Sequence, residues 1–147
     1  MQREVSPIVY IDRRVFFDGK NRVYFGKQGD YIDVQRQRKM NDCGYTCLEM
    51  LGYNFPKEQK REDLWNYELS NFGGELVKDY KIDKDVPLMV LIETKQGNWH
   101  WVISIGKLII DPNRGVMETS EYEKENIADV LGFYKVPYKK VFGLAAV

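Results

Sequence analysis

Apolar residues along this chain follow two spacings, and the switches between them mark out its elements. Over residues 1–34 aliphatic and aromatic side chains alternate with polar ones, and Asp18-Gly19 stands between VFF and RVYF. Alternation puts the apolar set on one face of a strand, and Asp-Gly is a favoured two-residue turn, so this stretch predicts a β-hairpin. Gly26, Gly29 and Asp30 punctuate its exit. From Asn41 or Asp42 the spacing becomes helical through Cys43, Cys47, Met50 and Leu51, with Asn or Asp as N-cap and Gly52 near the end. The mixed-charge run KEQKREDLWNYELSNF repeats apolar residues at Leu64, Trp65, Leu69 and Phe72, which predicts a second amphipathic helix that Gly73-Gly74 ends or breaks. A short helical stretch is expected over residues 75–80.

Beyond Asp85 the texture is that of strands. VPLMVLIET, WHWVISIG and KLIID, separated by Gly97-Asn98 and Gly106-Lys107, predict three consecutive antiparallel strands. A polar helical segment is expected around residues 120–131, and FYKVPYKKVFGL reads as a last strand. Helices ahead of strands, with no internal repeat or low-complexity linker, predict α+β architecture with segregated layers. With 147 residues and 44% hydrophobic composition, the chain is long enough for one core and is expected to be a single domain, residues 1–34 forming an N-terminal hairpin extension.

Charge narrows the partners. Lys and Arg number 22, as do Asp and Glu, so no whole-molecule field draws the protein to nucleic acid or an anionic membrane, and neither is expected as a partner. The longest apolar stretch, around residues 86–92, is far short of the roughly 20 residues a bilayer requires. Residues 1–12 carry no signal-peptide core, so a cytoplasmic protein is expected. Cys43 and Cys47 lie one turn apart on the predicted helix, a poor geometry for a disulfide, so both are expected as free thiols in a reducing compartment. One histidine and no Cys-x-x-Cys pair leave a zinc site without its usual ligands, and no metal or other cofactor is expected.

Two thiols and one imidazole then become the candidate chemistry. Cys43 falls in the first turn of its helix, where unpaired backbone N–H groups and the positive end of the macrodipole favour thiolate. Gly44 beside it offers no side chain to obstruct a substrate carbonyl. Cys47, pointing inward from the same helix, reads as core. His100 heads the apolar strand WHWVISIG, and Asp111 ends the next strand in KLIIDPNRG. A tight connection at Gly106 brings Asp111 back beside His100, where a carboxylate accepts the imidazole N–H and fixes its tautomer. Read singly, Cys43 is a small buried hydrophobe and Asp111 an Asp-Pro turn initiator; only their combination with His100 points to catalysis. Gln37 and Gln35 both precede Cys43, either able to donate toward an oxyanion, and spacing does not choose between them. Trp99 and Trp101 flank His100, one as a cover for the His-Asp pair and at least one as core.

QRKMNDCGYTCL, residues 37–48, resembles the Gln-x5-Cys-Gly start of the papain-like cysteine peptidases that process double-glycine leader peptides in bacteriocin-exporting ABC transporters, and HWVISIG with IIDPNRG is similar to that family's His strand and Asp-Pro turn. The resemblance implies a papain-like fold with a helical lobe against a sheet lobe, nucleophile Cys43, general base His100, orienting Asp111 and oxyanion donor Gln37 rather than Gln35. It implies a peptide or protein substrate, cut after a small residue such as glycine by way of an acyl-enzyme. The N-terminal hairpin, the short interval between Cys43 and His100 and the expected lack of a following transporter region depart from that family. Amidase or acyl-transfer chemistry could use the same groups. From other classes come a non-catalytic peptide-binding module on the same fold, and an accessory protein that pairs with a partner through the hairpin's exposed edge.

Overall fold

A computed structural model of the chain describes residues 11–12, 15–26, 29–55, 63–78 and 86–139. These form two antiparallel sheets and three helices, an α+β arrangement. The first sheet is a meander of β1 (Ile11–Asp12), β2 (Val15–Phe17), β3 (Arg22–Phe25) and β4 (Asp30–Asp33). The predicted hairpin is its centre. Asp18 Oδ1 accepts the N–H groups of Lys20, Asn21 and Arg22 at 2.8, 3.0 and 3.1 Å, and Gly19 takes φ 80°, so this pair of residues sets the β2–β3 turn. The sheet exceeds a hairpin because β4 pairs Ile32 with Val23, which buries both against Val15 and Phe17.

Helix α1 (Cys43–Met50) begins after Asp42, as the spacing predicts, and buries Cys47, Leu48 and Met50. The second expected helix is a 3₁₀ helix, Asn66–Phe72, with Leu69 its one buried residue; the part of the prediction over residues 57–62 lies outside the described residues. One buried side chain is too narrow a stripe to hold several α-helical turns against a core. Gly73, at φ 75°, ends the helix, its N–H bonded to Ser70 O at 3.1 Å. Where the spacing predicts helix over residues 75–80, the structure has strand β5 (Glu75–Leu76), and residues 79–80 lie outside the described residues.

The second sheet holds β5 together with β6 (Leu88–Thr94), β7 (Trp99–Ile105), β8 (Leu108–Asp111), β9 (Gly115–Glu118) and β10 (Ile127–Lys135), in the order β5-β10-β6-β7-β8-β9. The three expected strands are β6, β7 and β8. The polar helix α2 (Thr119–Asn126) stops short of the expected residue 131, and residues 127–130 instead open β10. Tertiary pairing overrides local spacing here: β6 is apolar on both faces and needs a strand on its free side, which Ile127, Val130 and Phe133 supply by pairing with Thr94, Ile92 and Val90. The last expected strand accordingly starts earlier and ends at Lys135; residues 140–147 lie outside the described residues.

Core residues lie on both faces of this sheet. Met89, Leu91, Trp101, Ile103 and Ile105 face α1 and the first sheet, whereas Val90, Ile92, Val102 and Ile109 face α2 through Tyr122. Each such side chain, fully buried, contributes about 1.5–3 kcal/mol. Among the described residues, no helix is long and apolar enough to cross a membrane.

Candidate active site

The N-terminus of α1 meets the sheet at a corner that β8 leaves open. β7 and β8 pair as Ile103↔Ile110 and Ile105↔Leu108 around the Gly106-Lys107 turn. One further step puts Asp111, the last residue of β8, opposite Val102, so His100 is its diagonal neighbour on the same face. His100 Nε2 lies 2.7 Å from Asp111 Oδ1. Because β8 ends here, the imidazole projects past the edge of the pairing into the cleft that Cys43, at the head of α1, also lines, near enough for Cys43 to help raise the His100 pKa. With Nε2 turned to the carboxylate, Nδ1 is the ring nitrogen left for the sulfur. Cys43, His100 and Asp111 are therefore brought together in one cleft, with His100 bonded to Asp111.

Cys43 and Asp111 are buried and His100 is half-buried. Asp111 is 2% exposed; Oδ1 also accepts the Asn113 N–H at 2.7 Å, and Oδ2 accepts the Tyr122 hydroxyl at 2.5 Å. Burial alone would raise its pKa, but the bonds from His100, Tyr122 and Asn113 outweigh that and hold the carboxyl below the usual range. Burial works against the charge on His100, yet its bond to Asp111 and the nearby Cys43 push its pKa up to about 10. Burial and the Asp111 charge push the Tyr122 hydroxyl up, which keeps it a donor. Tyr122 is the residue that sequence reasoning missed. It is the single aromatic in the polar run TSEYEKEN, which marks it as inward-facing, but nothing local ties it to Asp111.

At the head of α1, the N–H groups of the first turn have no intrahelical acceptor. Asp42 does not cap them; its Oδ2 accepts the Thr46 hydroxyl at 3.4 Å and the Arg38 N–H at 3.3 Å. The space beside Gly44 differs from the sequence expectation. A Cβ there would sit 2.5 Å from Leu64 Cβ and 3.0 Å from Trp101 Cδ1, so the bare Cα admits packing from the core. Trp101 is buried and donates Nε1–H to Leu64 O at 2.8 Å, fastening residues 63–65 beside Cys43 and Gly44. Trp99 is 57% exposed and meets Trp65 edge-on at 6.4 Å. Trp101 is core and Trp99 lies at the rim of the cleft that holds His100 and Asp111. Cys47 is buried and, like Cys43, a free thiol, and burial pushes its pKa well up.

Gln37 lines the same cleft, which encloses about 1200 Å³ between the 37–41 loop, residues 63–65 and the ends of β6 and β7. Its backbone N–H donates to Pro112 O at 2.8 Å, docking the loop on the turn after β8. Its side-chain Nε2 donates to Lys39 O at 2.8 Å and Met40 O at 3.2 Å, so both amide hydrogens are held by its own loop. The buried Oε1 has no hydrogen-bond partner among the described residues. Gln35 stands apart, its N–H on Met50 Sδ at 3.3 Å. Among the described residues, no group of His, Cys, Asp and Glu is placed to hold a metal ion. Compared with known protein families, curated proteins and solved structures, the chain matches none.

Proposed function

We propose that the chain is a thiol hydrolase of papain-like type, cleaving a peptide or isopeptide bond after a small residue. The observation that carries this reading is the His100–Asp111 pair set in one cleft with Cys43, with an imidazole whose pKa is pushed up to about 10. His100 takes the Cys43 proton, and the thiolate attacks the substrate carbonyl carbon. The resulting oxyanion meets the Cys43 N–H at the head of α1, and His100 returns the proton to the leaving amine. Water, deprotonated by His100, then attacks the thioester and frees Cys43. Gln37 is the second oxyanion donor once its amide gives up a loop carbonyl. Leu64 and Trp101, packed against Gly44 beside the nucleophile, favour a small residue on the acyl side. The same intermediate passed to an amine in place of water would make the protein an acyl transferase.

A peptide-binding module on the same scaffold draws support from one observation, the commitment of both Gln37 amide hydrogens to Lys39 and Met40. Alkylation separates the two. With an activated pair, iodoacetamide labels Cys43 far faster than Cys47 at mildly acidic pH, and His100→Ala abolishes the preference. Intact-mass analysis with a peptide library rich in Gly-Gly and Gly-Ala junctions then finds cleavage that Cys43→Ala removes. Equal sluggishness of both thiols sinks the hydrolase and leaves the binding module.

A further inference from the structure

We infer that Tyr122 is a positioning residue for the reaction proposed above, on which this inference rests: its hydroxyl, donated to Asp111 Oδ2, locks the carboxylate that orients His100. Tyr122 is 1% exposed and sits in an apolar cluster with Val102, Ile109, Met117 and Phe133. A phenylalanine would fill that space equally well, so packing accounts for the ring and leaves the hydroxyl to be explained. Its acceptor is a carboxylate on a different element, eleven residues earlier in the chain.

The need for a lock follows from the side chain it holds. Rotation about the Cβ–Cγ bond of an aspartate is broad and roughly two-fold, so bonds to one oxygen leave the plane of the carboxylate free to rock. His100 and Asn113 both bond Oδ1; Tyr122 alone, among the described residues, bonds Oδ2. Three donors also make Asp111 a poor base, so the proton stays on the imidazole. The titratable and charged groups around Asp111 are His100 on β7, Cys43 and Cys47 on α1, Arg114 on the turn after β8, and Tyr122 on α2.

Without the hydroxyl, Asp111 is protonated at higher pH, and the imidazolium loses its counter-charge there. The acid limb of Cys43 alkylation in Tyr122→Phe therefore moves up by about one pH unit, and peptide turnover falls about tenfold in kcat with KM unchanged. A packing role moves neither limb nor the kcat-to-KM split. In an Asp111→Asn background, Tyr122→Phe has no further effect on the alkylation profile. A wild-type profile in Tyr122→Phe, or an equal shift with and without Asp111, overturns this inference alone. An unactivated Cys43 in the wild-type protein overturns the hydrolase and this inference with it. Should Tyr122→Phe not fold, 3-fluorotyrosine placed at position 122 alone is a stronger donor of nearly the same size. It moves the acid limb to lower pH, and an unmoved limb refutes the role.

Discussion

Protons counted across the folding reaction test whether sulfur and imidazole share one. His100 releases its proton near pH 6.5 in the unfolded chain and near pH 10 in the folded one. Folding favours its charged form, so the stability it contributes is complete below about pH 6.5 and is lost as the pH climbs through about 10. From about pH 6.5 to about pH 8.5 the unfolded chain sheds this proton and the folded chain keeps it, which integrates to about 2 kcal/mol at about 1.4 kcal/mol per unit. Cys43 offsets this loss if the proton on His100 is the one the sulfur surrendered. Folded and unfolded chains then hold equal numbers of protons until unfolded thiols ionise near about pH 8.5. The wild-type protein is therefore flat over this window. Cys43→Ala loses about 1–2 kcal/mol across it, the sulfur's own share of the shift being gone. Adding Asp111→Asn to Cys43→Ala removes the slope. Urea unfolding under reducing conditions, followed by tryptophan fluorescence at several pH values, reads all three. A wild-type slope equal to that of Cys43→Ala means the thiol keeps its proton, and a flat Cys43→Ala means Asp111 does not hold an imidazolium.

Three further outcomes follow from the packing and the cleft. Gly44→Ala, which in an open helix stabilises by up to about 1 kcal/mol, here destabilises by about 1–2 kcal/mol because its Cβ meets Leu64; a rise in urea midpoint would mean the 63–65 segment yields. Trp101→Phe costs about 1–3 kcal/mol by stranding the Leu64 carbonyl, read by thermal unfolding, and a cost near zero would place water in that bond. Gln37→Ala lowers kcat by about a hundredfold with little change in KM if its amide turns to the oxyanion; an unchanged kcat leaves the amide a brace for the 37–41 loop.

Legibility divides along the range of the interactions. α1, the β2–β3 turn and the β6–β7–β8 run are written in local spacing, because a 3.6-residue stripe, an Asp-Gly turn and alternating apolar runs are short-range features. The His100–Asp111 contact was legible for the same reason, since a tight turn at Gly106 leaves the register little freedom. β4, β5, β9 and the start of β10 were not, because each is short or locally ambiguous and becomes a strand only when a distant edge requires a partner. Gln37 was legible as a cleft residue, but the direction of its amide depends on the carbonyls of Lys39 and Met40 in a folded loop.

The sequence by itself determined which groups could do chemistry and the order in which they occur: a thiol at a helix start, one imidazole at a strand head and a carboxylate one turn of hairpin later. Only the tertiary structure decided that they share one cleft, and what surrounds them. β8 stops at Asp111, so His100 can turn into the cleft that Cys43 lines, and α2 crosses the far face to place Tyr122 on the second carboxylate oxygen. Those outcomes depend on strand lengths, register and the packing of separate layers, which are properties of the whole chain's burial, and no local pattern encodes them.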